Sequence, residues 1–199
     1  MISSRSILSL ALTLVAFPVF ATCPTGADLA TGIVFEDQDG NVETFRAAAN
    51  ATVQMDGVGS DGYTYRSILG KGVHVVQLSD TENGSILPDS IINTSYPMNV
   101  ASLPVPTASS QWSVKTVINA FGDIYEEVQT QRWGGEIDFV VGACSFRGIP
   151  GKVRYSSDGF QIDEEIMFLP DLGMSLLMSY DDSESDKDTF VYIEARTLQ

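Results

Sequence analysis

The side-chain types that most often carry enzyme chemistry are scarce in this sequence. Its 199 residues include one histidine, His74, and two cysteines. Zinc and copper sites that need several histidine or cysteine ligands are therefore excluded by ligand count. His74 alternates with Val73 and Val75, which is typical of a strand. The pattern predicts a solvent-facing residue or a core histidine with satisfied hydrogen bonds, and not a catalyst.

Acidic residues are abundant, with 26 aspartates and glutamates, and two runs of them are candidates for acid–base chemistry. The runs are Glu126-Glu127 and Asp163-Glu164-Glu165. A glycosidase needs two carboxyl groups that face one cleft, about 5–10 Å apart. Adjacent residues of a strand point to opposite faces, so each run offers at most one inward carboxylate. Nothing in the sequence requires the runs to converge, and no catalytic residue is assigned.

One string of residues matches a nucleotide-binding motif but lacks its structural context. Gly57–Gly62 satisfies G-x-G-x-x-G, yet Tyr63–Arg66 follows it with the pattern of a strand. The motif works only before a helix whose N-terminus receives the pyrophosphate. The chain also lacks the G-x-S-x-G sequence of serine hydrolases. No cofactor-binding residue is therefore assigned.

Two segments have the oxygen-rich composition of calcium sites. Asp37–Glu43 places glycine fourth, whereas an EF-hand loop needs glycine sixth and glutamate twelfth, so a hairpin turn explains this segment better. Asp181–Asp188 is strongly acidic, which normally marks a solvated loop. Weak calcium binding by residues 181–188 is a hypothesis, and no metal ligand is assigned.

Residues 1–21 have the pattern of a secretory signal peptide. Arg5 precedes the apolar run Ile7–Phe20, and Ala21 is a small residue at the predicted cleavage site. A membrane anchor is less favoured because the apolar run is short for a membrane span. A lipid-modified N-terminus is less favoured because Thr22 separates Ala21 from the first cysteine. We therefore expect residues 22–199 to be secreted or periplasmic, with no integral membrane segment.

Cys23 and Cys144 are expected to form one disulfide bond, because exported proteins with two cysteines usually oxidise them. The bond would tie the N-terminal end of the exported chain to Glu136–Arg147, which we interpret as a buried central strand. The formal net charge of −15 argues against nucleic acid and anionic membranes as partners. Both need clustered lysines and arginines, and the chain has no such cluster.

The apolar residues recur mostly with a period of two. This period, with frequent glycine-containing turns, predicts an all-β, antiparallel, hairpin-rich fold, either a sandwich or an up-and-down barrel. A closing strand is predicted over Thr189–Thr197, with its odd-numbered residues on one face and its even-numbered residues on the other.

Residues 79–110 are rich in Pro, Ser, Asn and Asp, and are expected to form a long connection with one short strand near Ile91–Thr94. We expect residues 22–199 to be a single β domain. The alternative is two similar β units, 22–96 and 107–199, joined by this connection. It rests on two similar successions of strands and turns, which begin at Ser60-Asp61-Gly62-Tyr63 and Ser157-Asp158-Gly159-Phe160.

Three functions are compatible with these observations. The favoured one is an exported, non-enzymatic protein with a binding or structural role, because no catalytic constellation or cofactor motif is present. The second is a carrier of a hydrophobic small ligand or lipid inside a barrel, and the third a carboxylate-dependent hydrolase. Met167, Met174 and Met178 are expected to fill a core and not to line a cavity. The partner would be an unidentified protein or a small hydrophobic ligand.

Overall fold

The computed structural model describes residues 22–182 and 184–198, and the predicted signal peptide lies outside this part of the chain. The described chain is almost entirely antiparallel β-structure, which confirms the predicted fold class. Short 3-10 helices cover Gly26–Ala30, Pro88–Ser90 and Val100–Ser102, and no described helix is long and apolar enough to span a membrane. The strands are β1 (Ile33–Asp37), β2 (Val42–Ala48), β3 (Thr52–Val58), β4 (Thr64–Gly70), β5 (His74–Glu82), β6 (Ser85–Ile86), β7 (Ile92–Ser95), β8 (Gln111–Ala120), β9 (Asp123–Trp133), β10 (Ile137–Val141), β11 (Cys144–Ser157), β12 (Phe160–Leu169), β13 (Met174–Asp181), β14 (Asp188–Thr189) and β15 (Tyr192–Thr197).

Most strands form one hydrogen-bonded path, in the order β14-β13-β12-β11-β9-β8-β7-β5-β4-β3-β2-β1-β15. Beside this path, β6 pairs with β5 and β10 pairs with β11. The path is not closed into a barrel, because β14 and β15 at its two ends do not pair within the described chain. The chain itself crosses from one end to the other through Phe190 and Val191, whose backbone groups bond to Met178 and Gln38.

The main hydrophobic core lies between the strands near the two ends of the path. Phe35 of β1 is fully buried at its centre, in contact with the rings of Phe45, Phe146 and Tyr192. The ring centroids lie 5.9–6.1 Å from that of Phe35, the usual range for aromatic pairs. Residues from β1–β4 and from β10–β13 therefore share one core.

The methionines singled out by the sequence belong to this core. Met167 and Met174 are buried in it, and Met178 packs against it. The prediction that these flexible side chains fill a core is therefore confirmed. A second, smaller cluster lies around Trp133 and Phe168, whose ring centroids are 6.3 Å apart.

Cys23 and Cys144 form the predicted disulfide bond. The bond joins the N-terminal segment to the first residue of β11, across a sequence separation of 121 residues. Leu29, in the 3-10 helix that follows Cys23, is buried in the main core. The disulfide therefore anchors a segment that also contributes to packing.

The interpretation of Glu136–Arg147 as one buried central strand is wrong. This segment is a hairpin in which β10 and the start of β11 are joined at Gly142 and Ala143. Gly142 has a φ of +57°, which suits a tight turn between strands. β10 is largely exposed, with Ile137 at 45% and Val140 at 63%. The later part of β11 is central instead, because it pairs with β9 and β12.

The prediction of one alternating strand over Thr189–Thr197 is also wrong. The segment is divided between β14 and β15, and a register shift opposite β1 leaves Ile193 as an extra residue. Such a bulge reverses which residues face inward. Tyr192 and Ala195 are consequently both buried, although simple alternation places them on opposite faces.

The connection between residues 79 and 110 is shorter than the sequence suggests. β5 continues to Glu82, and β7 confirms the short strand expected near residues 91–94. Because β7 pairs with both β5 and β8, the sheet is continuous across the connection. The similarity of the two proposed β units stays a prediction.

Candidate functional site

A cavity of about 430 Å³ lies between the inner face of β2–β5 and the inner face of β12 and β13. A concave space that is mostly apolar, with a few polar groups, is the usual form of a small-molecule site. Its apolar lining consists of Phe45, Met55, Leu69, Val73, Val75, Leu78, Ile92, Phe121, Ile166 and Leu177. The polar groups that line it come from Glu43, Tyr63, Tyr65, Ser67, Ser79, Asp80, Ser90, Glu164, Ser175 and Tyr180.

Two bulged hairpins contribute to this lining. In the β4–β5 hairpin, Ser67 lies opposite Leu78, but Leu69 lies opposite Val75. β5 therefore carries one extra residue between these pairs. Because directly opposed residues share a face of the sheet, Val75 and Leu78 both face the cavity although they are three positions apart.

The β12–β13 hairpin has the same irregularity. Glu164 lies opposite Tyr180, and Ile166 lies opposite Leu177. Without the extra residue in β13, alternation would turn either Leu177 or Tyr180 to the outer face. The bulges thus determine which side chains reach the cavity.

Glu43 is a buried acid at one side of the cavity. It alternates on β2 with the core residue Phe45. The Tyr192 hydroxyl donates to Oε2 of Glu43 at 2.9 Å, and the Tyr65 hydroxyl donates to Oε1 at 3.2 Å. Burial raises the pKa of Glu43 to about 7, against the lowering effect of these hydrogen bonds, and the nearby charge of Asp37 adds to the rise. Glu43 can therefore change charge near neutral pH.

Glu164 is the acid on the opposite wall. The Tyr155 hydroxyl donates to Oε2 of Glu164 at 2.9 Å, and Oε1 has no hydrogen-bond partner in the described chain. Burial raises the pKa of Glu164 to about 7, and the negative charge of Glu127 adds to the rise. Although protein surrounds Glu164, its side chain keeps accessible surface because it lines the cavity. One carboxylate oxygen is therefore available to a ligand.

The two acidic runs each turn one carboxylate inward, as strand alternation predicts. Glu127 is 6% exposed, and its Oε1 accepts a hydrogen bond of 3.0 Å from Gln129. Burial raises the pKa of Glu127. Glu127 is not among the residues that line the cavity, whereas Glu164 is. Although the charge of Glu127 is close enough to raise the pKa of Glu164, only Glu164 lines this cavity.

The neighbours of Glu164 in its run lie on the outer face of β12. Asp163 pairs with Arg154 at 2.7 Å, and Glu165 pairs with Lys152 at 3.0 Å. These ion pairs are solvent-exposed and hold the pKa of each carboxyl below its usual value. Their role is that of ordinary surface pairs.

Two exposed aromatic rings stand where the cavity meets solvent. Phe121 is 73% exposed and Tyr63 is 52% exposed, and both line the cavity. Phe121 has a φ of +54° and Gly122 a φ of +90°, a turn conformation that favours asparagine or glycine. The Tyr63 hydroxyl donates to Asp80, and its ring stacks on that of Tyr65 with centroids 5.9 Å apart. Phe121 therefore places a ring at the cavity rim in a conformation that the turn does not favour for phenylalanine.

His74 is a buried core histidine, which confirms one of the two predicted environments. Gln131 donates to its Nδ1 at 3.2 Å, so its Nε2 carries the proton and donates to the Pro104 carbonyl at 2.8 Å. The ring also packs against Trp112 with centroids 4.9 Å apart. Burial lowers the pKa of His74, so the ring is a neutral link between the sheet and the proline-rich connection.

Among the described residues, no three or more His, Cys, Asp or Glu side chains lie close enough together to hold a metal ion. In the acidic loop 181–188, Oδ1 of Asp182 accepts hydrogen bonds from the backbone of Glu184 and Ser185. This carboxylate stabilises a turn within its own loop. Gly57–Gly62 leads into β4 and not into a helix, as its sequence context predicts.

Comparisons of the chain with protein-family models, with curated proteins and with solved structures found no match. The candidate site therefore rests on the geometry of this molecule. Sequence reasoning had included Glu164 among the candidate acids but missed Glu43, Tyr65 and Tyr192. The alternation of Glu43 with Phe45 is the signal that could have placed this acid inside.

Proposed function

We propose that this protein is an exported, non-enzymatic binding protein that holds a small apolar molecule in the cavity between β2–β5 and β12–β13. The observation that carries the proposal is an apolar cavity of about 430 Å³, within the size range of small-molecule sites. Export is proposed from the signal-peptide pattern of residues 1–21. The Cys23–Cys144 disulfide fits an oxidising compartment.

Small residues at inward positions help to keep the cavity open. Ser67 and Ser175 are buried and line it, at places where a larger apolar side chain would fill the space between the sheet faces. Interiors are normally close-packed, and an unfilled space destabilises the fold. Ser175 also donates a hydrogen bond to the Gly72 carbonyl, so Ser67 is the serine that a bound molecule explains better than core packing alone.

The first experiment is a titration of the mature chain, residues 22–199, with N-phenyl-1-naphthylamine, a neutral probe that fluoresces in apolar surroundings. We expect saturable binding of one probe per chain and displacement by 1-octanol. Ser67→Phe places a ring in the cavity and should abolish binding. Ser113→Phe makes the same change on the exposed face of β8 and should leave binding intact.

Absence of saturable binding would refute the proposal, and so would equal binding by the two phenylalanine variants. Circular dichroism of both variants, at the same temperature, establishes that the strands are intact before binding is compared. Native mass spectrometry of protein purified without detergent gives an independent readout. We expect a species heavier than the mature chain that is absent from the Ser67→Phe preparation.

A further inference from the structure

We infer that the ligand is an amphipathic amine, with its apolar body in the cavity and its protonated nitrogen against the carboxylate of Glu164. The inference rests on the proposed function and specifies the chemical class of its ligand. It follows from the charges that line the cavity, the free oxygen of Glu164 and the aromatic rings at the rim.

The charged groups around the cavity all have the same sign. A second cavity, of about 500 Å³, adjoins the first and shares Glu43, Tyr63, Tyr65 and Leu177 with it. No lysine, arginine or histidine is among the described residues that line either space. The acids that line them are Asp37, Glu43, Asp61, Asp80, Glu164 and Asp188.

Because all the charged side chains that line the two cavities are acids, the cavities favour ligands of one charge over ligands of the other. A buried charge must be paired, because its transfer from water to an apolar site is otherwise strongly unfavourable. An ammonium group would find carboxylates here, whereas a carboxylate or phosphate would meet only like charge. The nearby lysines and arginines, such as Lys152 and Arg154, pair with acids on the outer face of the sheet and do not reach the interior.

Glu164 is the carboxylate best placed to receive the amine. Both oxygens of Glu43 already accept hydrogen bonds from tyrosine hydroxyls, whereas Oε1 of Glu164 is unoccupied.

Aromatic rings strengthen the preference for a cation. The stacked pair Tyr63 and Tyr65 lines both cavities, and Phe121 stands exposed at the rim. The faces of such rings attract cations, and carboxylates combined with aromatic rings are a recurring means of binding amines. An amine that enters past Phe121 would therefore meet favourable groups along its path.

The test compares three ligands with the same eight-carbon chain: n-octylamine, 1-octanol and octanoate. Each displaces N-phenyl-1-naphthylamine from the disulfide-bonded mature chain at pH 8, where the amine is protonated. We expect the amine to bind about tenfold or more tightly than the alcohol, since hydrogen bonds to charged groups are the stronger kind. Octanoate should bind least tightly of the three.

Two single-residue variants locate the charge that matters. Glu164→Gln should remove most of the preference for the amine over the alcohol, and should leave the affinity for 1-octanol unchanged. Glu165→Gln removes the same charge from the adjacent, outward-facing residue and should leave the preference intact. This comparison separates a contact with Glu164 from a general effect of net charge.

The outcomes distinguish the inference from the function on which it rests. Binding of 1-octanol as tightly as n-octylamine, or tighter binding of octanoate, would overturn the amine preference and leave the apolar binding protein standing. Equal loss of preference in Glu164→Gln and Glu165→Gln would overturn the role of Glu164. If neither the probe nor any of the three ligands binds, the proposed function fails together with the inference.

Discussion

Gly72 and Gly173 both have a φ of +72°, and the carbonyl oxygen of Gly173 occupies the place where a β-carbon on Gly72 would lie. A β-carbon built on Gly72 would be 2.1 Å from that oxygen, whereas one built on Gly173 would have no atom within 4 Å. The β4–β5 turn therefore packs directly against the β12–β13 turn. Ser175 reinforces the contact, since its hydroxyl donates to the Gly72 carbonyl at 2.9 Å.

This contact predicts different results for two otherwise similar substitutions. Gly173→Ala should cost about 1 kcal/mol, the strain of an alanine at positive φ. Gly72→Ala should cost at least about 2 kcal/mol more, because its methyl group also forces the turns apart. Equilibrium unfolding in urea measures both free energies. Equal losses in the two variants would show that the turns do not meet as described.

The disulfide should contribute a large share of the stability. Closing a loop across 121 residues should stabilise the folded state by roughly 4–5 kcal/mol when only the entropy of the unfolded chain is considered. The double variant Cys23→Ala with Cys144→Ala should lose about this much free energy of unfolding. Dithiothreitol should destabilise the natural chain by a similar amount and leave the double variant unaffected. A loss below about 1 kcal/mol would contradict the prediction.

Glu43 should make stability depend on pH. Its folded-state pKa is about 7, above the ordinary value of 4.5, so the folded protein holds the proton more tightly than the unfolded chain. The stability that Glu43 contributes is complete below pH 4.5 and is lost as pH rises through about 7. We therefore compare the unfolding free energy of the natural protein with that of Glu43→Gln. The natural protein's value minus the variant's should decrease as the pH rises from 4.5 to about 7, by at most about 1.4 kcal/mol per pH unit.

The comparison with Glu43→Gln removes the contribution of the many other acids, which titrate in both proteins. Urea unfolding at intervals of half a pH unit from pH 4 to pH 8 gives the required curve. A difference that stays constant, or that grows with pH, would mean that Glu43 is not held in its neutral form in the folded state.

Phe121 should show a conflict between stability and binding. Asparagine tolerates positive φ and is favoured before glycine in tight hairpin turns, so Phe121→Asn should raise the unfolding free energy by about 1 kcal/mol. The same change removes a ring from the cavity rim and should weaken binding of N-phenyl-1-naphthylamine severalfold. Ile124→Asn is the control, because Ile124 is 72% exposed on the same hairpin but does not line the cavity. Unchanged affinity in Phe121→Asn would remove Phe121 from the site.

Local features of the fold could be predicted from the sequence because they depend on neighbouring residues. Glycine turns and alternation identified the antiparallel β-structure. Alternation also predicted that each acidic run turns at most one carboxylate inward, but not that Glu127 and Glu164 are those residues. The disulfide was predictable because two cysteines allow one pairing. The same local reasoning failed at Gly142, where a turn divides an apolar segment that looks continuous.

What only the tertiary structure decided is the pairing of distant strands and the positions of the bulges. Backbone hydrogen bonds are the same for every residue type, so local sequence cannot specify that β15 joins β1 or that β9 pairs with β11. Packing across the interior makes that choice. One extra residue in β5 and one in β13 reverse the inward face of each strand, and these two bulges place Leu78 and Tyr180 in the cavity. The sequence by itself determined a disulfide-linked antiparallel β protein, and three-dimensional packing determined that it contains a mostly apolar cavity with acids in its lining and aromatic rings at its rim.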